Sequence, residues 1–159
     1  MKNNIRQNTI EIIEMLKKRE QTITFAESCT GGRIASVFTA ISGASLVFNG
    51  SVVSYANEIK SKWLGVDSQT LMEYGAVSLE CVEEMLRGVV KMAKAEHGIA
   101  VSGIAGPTGG TAEKPVGTVF IGVIINGSIT VEHCCFRGDR GSIQEQATDH
   151  AITLFKNKM

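Results

Sequence analysis

Cysteine and proline are scarce in this chain, and neither sign of charge prevails. The four cysteines among 159 residues, Cys29, Cys81, Cys134 and Cys135, make no CxxC pair and no framework spacing. A disulfide-stapled secreted scaffold is therefore excluded, and free thiols in a reducing cytoplasm are expected. Both prolines, Pro107 and Pro115, fall in one segment, so there is no proline-rich linker, and no repeat or low-complexity tract appears. Sixteen basic residues balance sixteen acidic ones, which argues against a broad nucleic-acid surface or a polybasic membrane surface. Apolar runs are short. Val119 to Ile125 is typical, far below the roughly 20 residues of a membrane-spanning helix. Charges run through Met1 to Lys18 with no apolar centre, so no secretory signal is expected there.

Several catalytic signatures are missing as well. There is no GxxxxGK[ST], no GxGxxG, no GxSxG and no serine followed three residues later by lysine, which sets aside the Walker, dinucleotide, α/β-hydrolase and penicillin-binding patterns. The three histidines are poorly placed for a triad. The sequence puts His97 at a helix end, His150 on an apolar helix face and His133 in a strand. Strand alternation separates His133 and Cys135 from Cys134, a poor arrangement for a metal. No metal and no cofactor is expected.

What is present reads as one α/β domain over residues 1–159. Hydrophobic residues make up 43% and charged residues 20%, ordinary for a globular protein. Ile10, Ile13 and Leu16 share a face of a first helix over 5–19, which Ile12 and Met15 broaden. A short β-prone run, Thr22 to Ala26, stops at a double glycine, after which Ile34, Val37 and Phe38 recur at helical spacing. Leu46 to Tyr55 reads as extended and runs into Asn57, taken as the N-cap of a helix through Leu64. Ser78 opens the clearest helix, with Val82, Met85, Leu86, Val89 and Ala93 in a stripe closed by His97-Gly98. Ile99 to Ile104 is a strand. Val116 to Ile125 and Ser128 to Phe136 form a hairpin around Asn126-Gly127. Ser142-Ile143-Gln144-Glu145 reads as a capping box opening a last helix, whose core face is Ile143, Ala147, His150, Ala151 and Leu154. Helices alternating with strands and a late hairpin predict a three-layer α/β/α domain with a mixed, mostly parallel sheet of about five strands.

Open sheets of this class bind ligands at the carboxyl ends of their strands, and three unusual segments fall there. In Glu27-Ser28-Cys29-Thr30-Gly31-Gly32 the glycines let backbone amides approach a ligand at a helix start. Ser28 or Thr30 is either an N-cap or a reacting hydroxyl, and Cys29 is a weaker nucleophile with no cation beside it in sequence. In Tyr55-Ala56-Asn57-Glu58-Ile59-Lys60, the lysine stands in a first helical turn, where the helix dipole disfavours an ammonium. It is either a solvated surface lysine or, if buried in a pocket, a neutral amine able to act as a base. The glycine-rich segment from Ser102-Gly103-Ile104-Ala105-Gly106-Pro107 to Pro115 suits a nest of N–H groups around an oxyanion or phosphate, or a plain mobile connection.

These segments, with Glu113-Lys114-Pro115-Val116-Gly117-Thr118-Val119 and Gly138-Asp139-Arg140, stand in an order that resembles the C-terminal domain family of the competence/damage-inducible protein CinA, over nearly the whole chain. The resemblance implies a nicotinamide-nucleotide amidohydrolase, which converts nicotinamide mononucleotide (NMN) and water to nicotinate mononucleotide and ammonia in pyridine-nucleotide salvage. It implies a catalytic serine and lysine assisted by a tyrosine, which by motif are Ser28, Lys60 and Tyr55. On that reading, substrate-binding and oxyanion roles are expected for Thr30, Gly31, Gly32, Ser102, Gly103 and Gly106, with Arg140 and the Gly106–Gly110 loop at the phosphate. A small-molecule substrate, a homo-oligomer and a cytoplasmic location are expected, without nucleic acid or membrane. Many members of the family carry this domain behind a larger one resembling molybdopterin-binding proteins, which this sequence lacks; deamidase activity is still expected because the reacting residues lie in this half. Arg137 stands where relatives often have a small residue and is expected in solvent. The alternative reading is a non-catalytic nucleotide-binding or regulatory module that keeps the pocket without turnover.

Overall fold

The computed structural model describes residues 3–159. In chain order its elements are α1 (Asn3–Arg19), β1 (Ile23–Glu27), α2 (Arg33–Thr39), β2 (Phe48–Val53), α3 (Asn57–Leu64), α4 (Ser68–Tyr74), α5 (Leu79–Ala93), β3 (His97–Gly103), β4 (Thr118–Ile125), β5 (Ser128–Cys135) and α6 (Arg140–Lys158). The strands lie in the order β2-β1-β3-β4-β5. β1 is parallel to both its neighbours, while β4 is antiparallel to β3 and to β5. Four strands therefore point one way and β4 alone opposes them, the mixed five-stranded sheet that the element pattern implies.

Helices cover both faces, and the two faces differ in residue size. Towards α1, α2 and α6 the sheet presents Ile23, Phe25, Ile99, Val101, Val119, Ile121 and Val123, all buried. Towards α5 it presents Ala26, Ala100 and Ile124, with Gly98 and Gly122 between them. A Cβ on Gly122 would lie 2.7 Å from Val82 Cγ1, and one on Gly98 would lie 2.9 Å from Val90 Cγ1. Small residues on this face let α5 sit close to the strands, and its stripe of Cys81, Val82, Met85, Leu86 and Val89 is fully buried.

Several boundaries differ from the sequence reading. Asn57 is the first residue of α3, not its cap; Ala56 takes the extended cap conformation and receives the Lys60 amide at 3.0 Å. The capping box at Ser142 is displaced upstream, because Asp139 accepts from the Ser142 amide at 2.8 Å and starts α6 at Arg140. The helix opened by Ser78 ends at Ala93 with Lys94 left-handed. His97 therefore begins β3, where it is buried and its Nε2 lies 2.9 Å from Gln21 Oε1. The extended reading from Leu46 shortens to β2, preceded by a 3-10 turn over Ala44–Leu46. The short helix α4, capped by Asp67, has too few apolar positions to announce itself. His150 is only half-buried, so α6's core face is Ile143, Ala147, Ala151 and Leu154 without it. The hairpin turn at Asn126-Gly127 stands as read, with both residues at positive φ.

The register fixes which residues meet at the strand ends. Glu27 of β1 pairs with Val53 of β2 and Val101 of β3. Ser28 and Ser54, just after β1 and β2, and Ser102, near the end of β3, consequently lie side by side at the carboxyl ends of the three parallel strands. The chain leaves β1 over one face and β2 over the other, so this is the sheet's topological switch point.

Lys60 depends on how α3 is seated. A Cβ on Gly88 of α5 would lie 1.9 Å from the Leu64 carbonyl oxygen at the end of α3. Backbone cannot rotate away from such a contact. Gly88→Ala therefore loses more from overpacking, about 1–3 kcal/mol, than the roughly 1 kcal/mol it gains in helix propensity. Urea unfolding is expected to show net destabilisation, and a more stable Gly88→Ala protein would contradict this packing.

Candidate functional site

A cavity of about 330 Å³ opens at the carboxyl ends of β1, β2 and β3. Ser28, Tyr55, Lys60, Ser102, Gly103, Gly106 and Arg140, all singled out from sequence, line it. Its centre is the Lys60 amine. The side chain is 1% exposed, and Nζ lies 3.0 Å from Ser28 Oγ, 2.7 Å from the Ser54 carbonyl oxygen and 3.1 Å from the Tyr55 carbonyl oxygen. Burial lowers the lysine pKa from its ordinary value, while the Cys81 and Cys29 thiols oppose the shift. A neutral amine has two N–H bonds and one lone pair. In that form the two carbonyls take both N–H bonds and the lone pair faces the Ser28 hydroxyl, whereas an ammonium donates to all three oxygens.

Ser28 is 7% exposed, and its amide donates to the Val101 carbonyl at 3.0 Å, which ties the start of the turn to β3. The next residue, Cys29, is held from the other side by Gln144 of α6, whose Nε2 donates to the Cys29 carbonyl at 2.8 Å. Cys29 does have basic side chains near it in space, Lys60 and Arg140, yet burial dominates and pushes its thiol up to about 12. That makes it a poor nucleophile beside Ser28.

Thr30, Gly31 and Gly32 do not line the cavity, a correction to the sequence reading with a clear cause. Glu27, fully buried, gathers this turn onto its carboxylate. Oε2 accepts from the Thr30 hydroxyl at 2.7 Å, the Gly32 amide at 3.0 Å and the Ile34 amide at 3.2 Å. Oε1 accepts from the Ala35 amide at 2.9 Å and the Ser51 hydroxyl at 3.4 Å. The Gly31 amide donates to the Ser28 carbonyl. These amides are committed inside the protein, so the glycines shape the turn, with φ of 57° and 94°, rather than meet a ligand. Sequence reasoning missed Glu27, although an acid ending a short apolar strand before a Gly-Gly helix start was its signal.

Arg140 stands at the rim, exposed but anchored. Nη1 donates to the Gly106 carbonyl at 2.7 Å and Nη2 to the Tyr55 hydroxyl at 2.8 Å. Tyr55 is 60% exposed, and what it offers Lys60 is its carbonyl, not its phenol. Ser102 is buried, with its hydroxyl donating to the Ala76 carbonyl at 2.8 Å. A Cβ on Gly106, at φ +78°, would lie 2.5 Å from Val116 Cγ1, so the loop needs glycine there. Asn57, Ala76, Val77, Thr108 and Gly109 complete much of the wall, and among the described residues no aspartate or glutamate lines it. Arg137 is exposed, as expected.

A family model described as the CinA C-terminal domain matches residues 6–159. The chain belongs to that family. It is 50% identical over 145 residues to a CinA-like protein of Fervidobacterium nodosum, covering 91% of this chain and 36% of that protein. It is 47% identical over 141 residues to the CinA-like protein of Thermotoga maritima, covering 89% and 34% respectively. The chain thus spans about a third of the length of these curated relatives. Among solved structures, it is similar to the competence damage-inducible protein A (ComA) from Klebsiella pneumoniae, with a TM-score of 0.94 and 36% identity over 98% of this chain and 97% of that one. The CinA superfamily protein ECK1530/EC0983 from Escherichia coli matches with a TM-score of 0.93 and 31% identity over 99% and 93%. Among the described residues no helix is long and apolar enough to cross a membrane.

Two outcomes follow for this CinA-family site. Lys60 has a folded pKa below the 10.5 of a free lysine, so between those two values the unfolded chain binds more protons and stability rises with pH. Relative to Lys60→Met, the native protein is expected to gain stability through that window, by at most about 1.4 kcal/mol per pH unit. A flat difference measured by denaturant unfolding would refute a neutral buried amine. Glu27→Gln turns one carboxyl oxygen into a donor facing donors, whichever way the amide points. Its expected cost is about 2–3 kcal/mol or more, read as a lowered urea midpoint.

Proposed function

We propose that this chain hydrolyses the carboxamide of nicotinamide mononucleotide, giving nicotinate mononucleotide and ammonia. The observation that carries the reading is the Lys60 nitrogen 3.0 Å from Ser28 Oγ with both of its N–H partners supplied by carbonyls. Ser28 Oγ attacks the carboxamide carbon as Lys60 takes the hydroxyl proton. The tetrahedral intermediate collapses, its carbon–nitrogen bond breaks, and Lys60 returns the proton to the departing ammonia. Water then attacks the acyl-serine ester with Lys60 again as base, which releases the carboxylate and restores Ser28.

With the Gly31 and Gly32 amides committed to the turn and the Ile104 amide to the Thr118 carbonyl, the oxyanion is assigned to the amides of Cys29, Ala105 and Gly106. Arg140 binds the phosphate with the donors left free by Gly106 and Tyr55. The absence of lining carboxylates supports an anionic substrate. Tyr55 positions Arg140 and, through its carbonyl, Lys60, so Lys60 accepts the serine proton directly.

Ammonia release from NMN by the purified protein, with EDTA present, tests the reading. Turnover is expected, with loss in both Ser28→Ala and Lys60→Ala of at least about a hundredfold and folding intact by circular dichroism. Binding of NMN without turnover would replace the enzyme by a nucleotide-binding module. A second measurement concerns the proton. Activity is expected to fall on the acid side as Lys60 becomes protonated, and that limb is expected to persist unmoved in Tyr55→Phe, with the change there in KM. An acid limb that disappears in Tyr55→Phe would route the proton through the phenol instead.

A further inference from the structure

β5 is an edge strand with one face beneath α6. Residues two apart on a strand share a face. Glu132 and Cys134 pair with Ile121 and Val119 of β4, whose side chains belong to the core under that helix. His150 descends from α6 onto the same spot, and its Nε2 lies 2.6 Å from Glu132 Oε2. One donor atom from each of Glu132, Cys134 and His150 falls within 4.8 Å of the other two. The Phe136 ring, 5.9 Å from the His150 ring, closes one side.

We propose that Glu132, Cys134 and His150 form a three-ligand site for a divalent transition-metal ion of the zinc class, with the fourth position left to water. Thiolate, imidazole and carboxylate together make the borderline donor set that zinc takes, whereas calcium and magnesium seek oxygen alone. Tetrahedral zinc, with bonds of about 2.0–2.3 Å, holds its ligand atoms roughly 3.3–3.7 Å apart. The widest separation here closes by about an ångström to reach this, and the short histidine–glutamate contact opens by less. Both movements fall to side chains with room to turn, since Glu132 and His150 are 42% and 38% exposed. Binding displaces the thiol proton to solvent and replaces the histidine–glutamate hydrogen bond by two metal bonds. A half-exposed pair of that kind contributes little alone; the sulfur on the same face is what changes its chemistry.

The sequence hid this cluster because it set Cys134 against its neighbours His133 and Cys135. Those two share the opposite face, with Cys135 Sγ 3.9 Å from His133 Nε2, and they supply the control. The site lies on different residues from the Ser28–Lys60 cavity, so its test is independent of any turnover.

The full chain, stripped of metal with a chelator, is titrated with cobalt(II) and then with zinc(II). Expected are a single cobalt ion per chain, a thiolate-to-cobalt charge-transfer band, displacement by zinc, and a Tm raised by zinc. Cys134→Ala removes the band, and His150→Gln, a change at a half-exposed position, weakens binding about tenfold or more. His133→Ala and Cys135→Ala bind as the native chain does. No thiolate band in the native protein, a band that survives Cys134→Ala, or a band lost in Cys135→Ala would each overturn the assignment.

Discussion

A lysine nitrogen withdrawn from water sets the terms for this structure. Transfer of an ammonium into the interior costs several kcal/mol unless a counter-charge receives it, and no carboxylate lines the cavity around Lys60. What surrounds Nζ is two main-chain carbonyls and a hydroxyl, polar partners without a counter-charge. Three pieces of chain meet there. Ser28 follows β1, Ser54 and Tyr55 follow β2, and Lys60 itself enters from the first turn of α3. The parallel pairing of Glu27 with Val53 is what brings the first two pieces level, and the seating of α3 on Gly88 fixes the third. A shift of any one separates donor from acceptor.

Glu27 shows the opposite solution to the same problem one residue away. Its carboxylate is as deeply buried as the lysine, yet five donors satisfy it. Buried and fully bonded, it is a structural group, and it makes the turn after β1 rigid. Lys60, with a hydroxyl among its partners, is the residue to which the proposed reading gives the chemistry. Ser28 lies between the two, its backbone held by the turn that Glu27 organises and its side chain facing the amine. In the proposed reaction, rigid placement of Ser28 on such a frame removes reorganisation from the chemical step.

How much of this was legible in the sequence follows from the range of each signal. Local patterns succeeded: the α5 stripe after Ser78, the Asn126-Gly127 hairpin and the glycine turn after β1 each depend on residues a few positions apart. Cap assignments failed where two candidates competed within a turn. Asp139 displaced Ser142, and Ala56 displaced Asn57, because a cap is decided by backbone conformation and not by residue type alone. Thr30, Gly31 and Gly32 read as ligand contacts because the sequence shows glycine amides but not the acid that consumes them. Burial of Lys60 was undecidable locally, since a lone lysine near a helix start carries no mark of what packs over it. The match of whole motifs, not any one residue, singled it out. His150 and Cys134 lie on separate elements, so nothing in their spacing joined them.

Charge shows why local arrangement outranks totals here. The chain is neutral overall, and that balance says only that no broad field draws in a polyanion. The cavity is not neutral, because Arg140 and Lys60 are the charged side chains on its wall. Burial lowers the pKa of the second, while Arg140 stands exposed at the rim. Its guanidinium spends donors on the Gly106 carbonyl and the Tyr55 hydroxyl, so its plane is held in one orientation. The same helix that presents Arg140 at its first residue holds the Cys29 carbonyl through Gln144. One rigid element thus carries the guanidinium at the rim and holds the turn of Ser28, so the spacing between Arg140 and Ser28 is set by the fold.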